Sequence, residues 1–406
     1  MKHPAVLIAL LTIAISANAK PLKVFILAGQ SNMQGHAKIE TFDYIGDDPA
    51  TAPLLKEMHD ASGKPRVCDK VWISSAGCLG DAYTDLTEKT GKLTAGFGAP
   101  GGKIGPEFTF GITMEKQLGE PILLIKTAWG GRSLHTDFRP PSAGPYVLNG
   151  FQLKNYPKQE GHGIPKDFEK WKADKVKETG YYYRQMIGHV RKVLQNPKRV
   201  CPNYNPAQGY ELAGFVWLQG WNDMCDNHTY PDSGKPGGYD LYADLLAHLI
   251  RDVRKDLSAP KMPFVIGVMG VGGIQEKPNY FRNAMAAPAS LPEFNGSVVA
   301  VQTAPFWDRK LGEIDENRGK ISQMEWMLNV KDKNGPNKDG AMTKEQQSAY
   351  LKDYRAKLIT PEDEALWKRG ASNAGYHYLG CAKTFALMGR AFAEANLKMM
   401  KPGTSK

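Results

Sequence analysis

Cysteine is scarce, with five in 406 residues, too few for a disulfide-dense scaffold. None forms a Cys-x-x-Cys pair and no His-Glu-x-x-His occurs, so the spacings of the common zinc sites are missing. Beyond its first twenty residues the chain has no apolar run of the ~18 residues a membrane helix needs. There is no internal repeat and no low-complexity tract. Basic residues outnumber acidic ones, 52 to 42, for a formal charge of +10. The excess is spread along the chain instead of blocked, which speaks against a nucleic-acid partner. A composition of 42% hydrophobic and 23% charged residues excludes a disordered tail and a collagen-like fibre. What is left is a folded protein, either one large α/β domain with insertions or two modest domains.

The first residues are expected to lie outside that domain. Met1, Lys2 and His3 make a short basic start, Ala5 to Ile15 is apolar, and Ala17-Asn18-Ala19 has the small-x-small pattern of a cleavage site. Residues 1–19 therefore read as a signal peptide, which predicts a secreted or periplasmic protein. Export permits disulfides; Cys68 with Cys78 and Cys201 with Cys225 are conceivable pairs, with Cys381 left over. A basic exported protein is suited to meeting acidic glycans or cell-surface polymers.

Five short apolar runs punctuate the rest: Lys23 to Ala28, Pro121 to Thr127, Gly214 to Leu218, Phe264 to Val268 and Ser297 to Gln302. Continuous runs of this kind suit strands buried on both faces. Tyr181 to Leu194, Leu241 to Leu257 and Ala382 to Met399 carry apolar residues at helical spacing. The alternation predicts an α/β fold, a three-layer α/β/α sandwich on a mainly parallel five-stranded sheet. Within a domain of residues 20–400, 42–105 reads as loop-rich, and 308–369 as a charged insertion that is helical from Thr343 to Leu358. Residues 401–406 read as a tail.

Some motifs fail on inspection. Gly96 to Gly101 matches Gly-x-Gly-x-x-Gly, but no strand precedes it and Pro100 interrupts it, so it reads as a loop. Four other segments are better placed. Gly29-Gln30-Ser31-Asn32-Met33 follows the first strand, where parallel α/β folds bind ligands. There Ser31 is either a nucleophile with its own N–H as oxyanion donor, or a helix cap. Lys126 to Ser133 contains Gly130-Gly131, whose backbone can approach a ligand closely. Phe215 to Asp223 brings Gln219 and Asn222 to a strand end, where either amide can donate to an oxyanion. His377 stands in a Gly-containing turn before the last helix, and imidazole exchanges protons near neutrality. Of the other histidines, His189 and His248 fall in helical patterns and read as structural, whereas His36, His135 and His228 are further candidates for the site wall.

Taken in order, these segments resemble the SGNH (GDSL-like) hydrolases, flavodoxin-like in fold, and more narrowly the sialate O-acetylesterase-like carbohydrate esterases. The resemblance spans roughly residues 21 to 400. It implies Ser31 as nucleophile and His377 as general base, with no metal or organic cofactor. It also implies oxyanion donors from Ser31, from Gly130 or Gly131, and from a third-block amide, Gln219 being preferred to Asn222. Gln30 and Asp223 would support the site. By proximity to the blocks, Trp129, Arg132, His135, Asp137 and Trp221 are candidates for sugar contact.

Two departures stand out. Gln219-Gly220-Trp221-Asn222-Asp223 replaces the sugar-esterase pattern Gln-Gly-Glu-Ser-Asp. Ala374 stands where the superfamily has an Asp three residues before its His. The group orienting His377 is then a backbone carbonyl, Asn373, or a distant acid such as Asp223. The function expected is a secreted O-acetylesterase that forms an acyl-enzyme and acts on an acetylated oligo- or polysaccharide. The alternatives are a non-catalytic glycan-binding module on the same fold, and a lipase or arylesterase of the superfamily.

Overall fold

In a computed structural model, residues 20–78, 86–158 and 167–401 are described. The expected signal peptide (1–19) lies outside them, as do His162 and the tail after Lys401. All five apolar runs form strands. β1 (Leu22–Gly29) is buried on both faces because nearly every residue is apolar. Its alternate side chains feed two cores: Val24, Ile26 and Ala28 on one face, Phe25 and Leu27 on the other.

Among the described residues the sheet has seven strands, two more than expected. β2 (Val71–Cys78) and β3 (Leu86–Lys92) come from the segment read as loops. β4 (Ile122–Ala128), β5 (Tyr210–Leu218), β6 (Phe264–Val268) and β7 (Val298–Gln302) complete it. The spatial order is β3-β2-β4-β1-β5-β6-β7. All neighbours are parallel except β2 and β3. The reason β2 and β3 escape a periodicity reading is chemical. β2 turns small and polar after Ile73, and β3 is an edge strand rich in Thr, Lys and Glu. Charge on such an edge discourages pairing with another chain.

Helices cover both faces. α1 (Glu107–Leu118) and α7 (Ala382–Met400) pack on the Phe25 side, through Phe108, Phe110, Phe385 and Phe392. α2 (Tyr181–Gln195) and α3 (Asp240–Asp256) pack on the other, through Met186, Val190, Leu246 and Ile250. Residues 308–369 form α4 (Arg309–Val330), α5 (Lys344–Leu358) and α6 (Pro361–Gly370). A reciprocal cap between Thr343 and Gln346 starts α5, which buries none of its residues. Cys68, Cys201, Cys225 and Cys381 are free thiols, so the Cys201–Cys225 pairing is not formed. Cys68 likewise is unpaired; the side chain of Cys78 lies outside the description.

Candidate active site

Three adjacent strand ends, those of β4, β1 and β5, bring the second, first and third blocks side by side. Gly29 makes this approach possible. Its φ is +154°, and a Cβ there would sit 2.1 Å from Leu218 O, a contact only glycine avoids. Gln30 then leads into one helical turn, Ser31–Gln34. Ser31 is 7% exposed and lines a cavity of about 560 Å³. Its backbone N–H has no hydrogen-bond partner among the described residues. Gly130 and Gly131 line the same cavity. A Cβ on Gly130 would lie 3.8 Å from Ser31 Cβ and 3.7 Å from Gln34 Oε1.

His377 reaches this cavity from the turn Gly375–Gly380, just before α7. Its Nδ1 is 2.8 Å from Asn373 Oδ1. That oxygen also accepts the Ala374 backbone N–H at 2.8 Å. A peptide N–H can only donate, so the amide atom facing it is oxygen, and His377 Nδ1 must carry the ring proton. Nε2 keeps the lone pair a base needs. Burial, helped by the positive charge of Lys103, lowers the His377 pKa to about 4. Two non-glycine residues in left-handed backbone, Tyr378 at φ 51° and Leu379 at φ 60°, follow the histidine. Such strain persists only where surrounding contacts impose it. Here the buried Tyr378 hydroxyl accepts the Gly270 N–H at 2.8 Å and lies 2.7 Å from Thr303 Oγ1.

A chain of amides fixes the third block. The Gly220 N–H donates to Gln30 Oε1 at 2.9 Å, so Gln30 Nε2 is the end that donates to Asn222 Oδ1 at 3.0 Å. Asn222 Nδ2 is left without a partner among the described residues, and Asn222 lines the cavity. Gln219 is placed differently. It is 2% exposed, and its Nε2 donates to Arg132 O at 3.0 Å and to Asp223 Oδ2 at 2.6 Å. Its amide protons are spent on the scaffold.

Asp223 also accepts the backbone N–H groups of Leu134 and His135 and the hydroxyl of Tyr230. Burial raises its pKa. It clamps the loop after β4 to the turn after β5, whereas the side chain that meets His377 Nδ1 is Asn373. Trp221 lines the cavity, its ring 5.7 Å from that of Tyr376. The other expected sugar contacts brace the loop behind the cavity. Trp129 is fully buried against Phe138 and Tyr182, so no ligand can reach its faces. Arg132 lies over the Tyr182 ring, and Asp137 accepts the N–H and hydroxyl of Ser133. His135 Nε2 is 3.1 Å from Asp226. His228 stacks on Phe151, away from the cavity wall, whereas His36 is part of that wall.

The chain matches the family model described as carbohydrate esterase, sialic acid-specific acetylesterase, over residues 21–149 and 159–305. The chain belongs to that carbohydrate esterase family. The family's activity is ester hydrolysis on acetylated carbohydrates. Among solved structures, a protein from Arabidopsis thaliana is 18% identical, with 70% of this chain and 86% of that one covered and a TM-score of 0.37. A carbohydrate acetylesterase from Xanthomonas citri is 16% identical, with 69% of this chain and 49% of that one covered and a TM-score of 0.36. No curated protein matches the chain.

In this esterase several cavity residues come from outside the four motif segments. Ala99, Pro100 and Lys103 belong to the glycine-rich loop before α1, and Gln34 ends the Ser31 turn. Lys126 is not on the cavity wall but supports it from behind. It is 1% exposed and its Nζ donates to Gln34 O, Phe97 O and Glu107 Oε2, at 2.7, 2.9 and 2.7 Å. The visible signal was a lysine inside the apolar run Ile122–Ala128. Among the described residues no group of three His, Cys, Asp or Glu could hold a metal, and no helix is long and apolar enough to cross a membrane.

Proposed function

We propose that this carbohydrate esterase is a serine-dependent O-acetylesterase, exported by its leader, that removes acetyl groups from sugar hydroxyls. One observation carries the reading: Ser31, Gly130, Asn222 and His377 wall a single cavity, and the hydrogen bonds of Asn373 leave the His377 Nε2 lone pair uncommitted. Ser31 Oγ attacks the acetyl carbonyl carbon while His377 Nε2 takes the hydroxyl proton. The negative charge on the carbonyl oxygen is met by the N–H groups of Ser31 and Gly130 and by Asn222 Nδ2. The C–O bond to the sugar breaks, and the proton on His377 passes to the leaving sugar oxygen. Acetyl-Ser31 remains. A water then gives its proton to His377 and attacks the same carbon, releasing acetate and restoring the serine.

Trp221 and Tyr376 offer aromatic surface at the rim, suited to a pyranose face. This favours a sugar ester over the lipid ester of the alternative reading. The test is acetate release from acetylated oligo- and polysaccharides, alongside p-nitrophenyl esters of increasing acyl length. The reading expects acetate release from a sugar polymer and a steep preference for acetyl. A preference for long acyl chains overturns it in favour of a lipase, and sugar binding with no hydrolysis of any ester overturns it in favour of a binding module.

A further inference from the structure

His36 and His377 lie face to face, with ring centroids 3.9 Å apart and planes 4° from parallel. We propose that His36 is a positioning residue for the hydrolytic base: its neutral ring stacks on His377, fixes the plane of that imidazole and keeps water from one of its faces. The proposal rests on His377 being the base, as argued above.

Both nitrogens of His36 are buried and have no hydrogen-bond partner among the described residues. Buried polar atoms ordinarily find one; the contact this ring does make is the stack of its face on His377. The backbone around it is tightly constrained. Gly35 has φ +92°, and a Cβ there would meet Gly105 Cα at 2.1 Å. Ala37–Lys38 pairs with Lys103–Ile104 in a short antiparallel ribbon. The Tyr376 ring also meets His377, edge-on, with ring centroids 4.4 Å apart.

The charges around the pair also favour neutral rings. Lys103 on the ribbon acts on both imidazoles, and Lys126 acts on His36. Glu107 is committed to Lys126, and Lys38 faces Glu40. From α4, Asp315 comes up to Gly375, where an added Cβ would lie 3.0 Å from its Oδ2. Among the described residues no carboxylate pairs with either ring, so nothing compensates a proton there. Burial accordingly holds His36 at about 3 and His377 at about 4. A base kept neutral this far into acid remains able to take the Ser31 proton where an exposed imidazole is already protonated. During turnover the brief imidazolium on His377 faces a ring that carries no charge of its own. Two charged rings stacked in this way would repel.

The experiment is the pH dependence of kcat/KM on p-nitrophenyl acetate for the full chain and for the variants His36→Ala, His36→Phe and Ser31→Ala. The parent is expected to lose activity only near pH 4. In His36→Ala the acid limb should climb toward about pH 6.5, with the plateau reduced by up to about 10²-fold as the base loses its plane. His36→Phe, which keeps a flat ring without a titrating nitrogen, should bring the limb back near the parent's. An acid limb unchanged in His36→Ala, or unrestored in His36→Phe, overturns the proposal. Where a His36 variant fails to fold, the NMR titration of His377 in Ser31→Ala decides: a midpoint near 4 supports the shielding and one near 6.5 overturns it. Full activity in Ser31→Ala sinks the serine reading instead, an outcome distinct from failure of the His36 role.

Discussion

Asn373 Oδ1 accepts two protons, from the Ala374 N–H and from His377 Nδ1, each at 2.8 Å. An amide thus stands where a triad would place a carboxylate. It selects the tautomer and the ring angle, and unlike a carboxylate it adds no charge to stabilise the imidazolium. Asn373→Ala should therefore lower kcat by about 10²-fold with little change in KM. Asn373→Asp should keep the geometry and, by favouring the protonated ring, move the acid limb of kcat/KM above pH 4. Steady-state kinetics across pH check both; an unchanged kcat in Asn373→Ala contradicts the orienting role.

Asn222 and Gln219 sit three residues apart and are expected to fail in different ways. Asn222→Ala removes an amide nitrogen from the cavity wall and should cost roughly 10²–10³ in kcat while the protein melts as before. Gln219→Ala strips buried partners from Asp223 and from Arg132 O, and its first effect should be a lower melting temperature. Measuring kcat and melting temperature on both variants separates the roles. The reverse pattern would assign the oxyanion contact to Gln219.

The buried pair of Lys126 and Glu107 ties the Ser31 turn to the loop at Phe97. Removing one partner leaves the other charge unpaired inside the protein. Lys126→Ala and Glu107→Ala should each cost about 3–5 kcal/mol in urea unfolding. The double change Lys126→Met with Glu107→Leu should recover a large part of that stability, though not the support for Gln34. A loss below about 1 kcal/mol in the single variants would show that the pair is not needed to hold the turn.

Stability should also depend on acid in a defined direction. His36, His189 and His377 are held at about 3, 4 and 4 when folded, against about 6.5 in the unfolded chain. Between those values the unfolded state binds more protons, so stability rises with pH through this window and falls as pH drops from about 6.5 toward 4. Urea midpoints at pH 7.5, 5.5 and 4 measure it. A midpoint that does not fall over this range contradicts the buried neutral imidazoles.

Much of this architecture is legible in the sequence because its physics is local. The run from Phe264 to Val268 becomes β6 residue for residue, since five apolar residues in a row suit a doubly covered strand. The strand-end motifs are legible for the same reason: Ser31, Gly130 and Asn222 each follow an apolar run. What escapes is set by distant contacts. Nothing in Thr87-Glu88-Lys89 announces an edge strand, because its pairing with β2 supplies the order. Trp129 looks like a sugar platform from its neighbours, yet Phe138 and Tyr182 bury it. The stack of His36 on His377 joins residues far apart in the chain, and no spacing rule reaches across that distance.

The central claim is that Ser31 carries the acetyl group. Its most direct test is rapid quenching of the enzyme during turnover of an acetyl ester, followed by mass spectrometry of its peptides. The account predicts acetyl on the peptide containing Ser31, accumulating in the parent and absent from Ser31→Ala, which should also lose turnover. Acetyl on another residue, or undiminished turnover by Ser31→Ala, would contradict it.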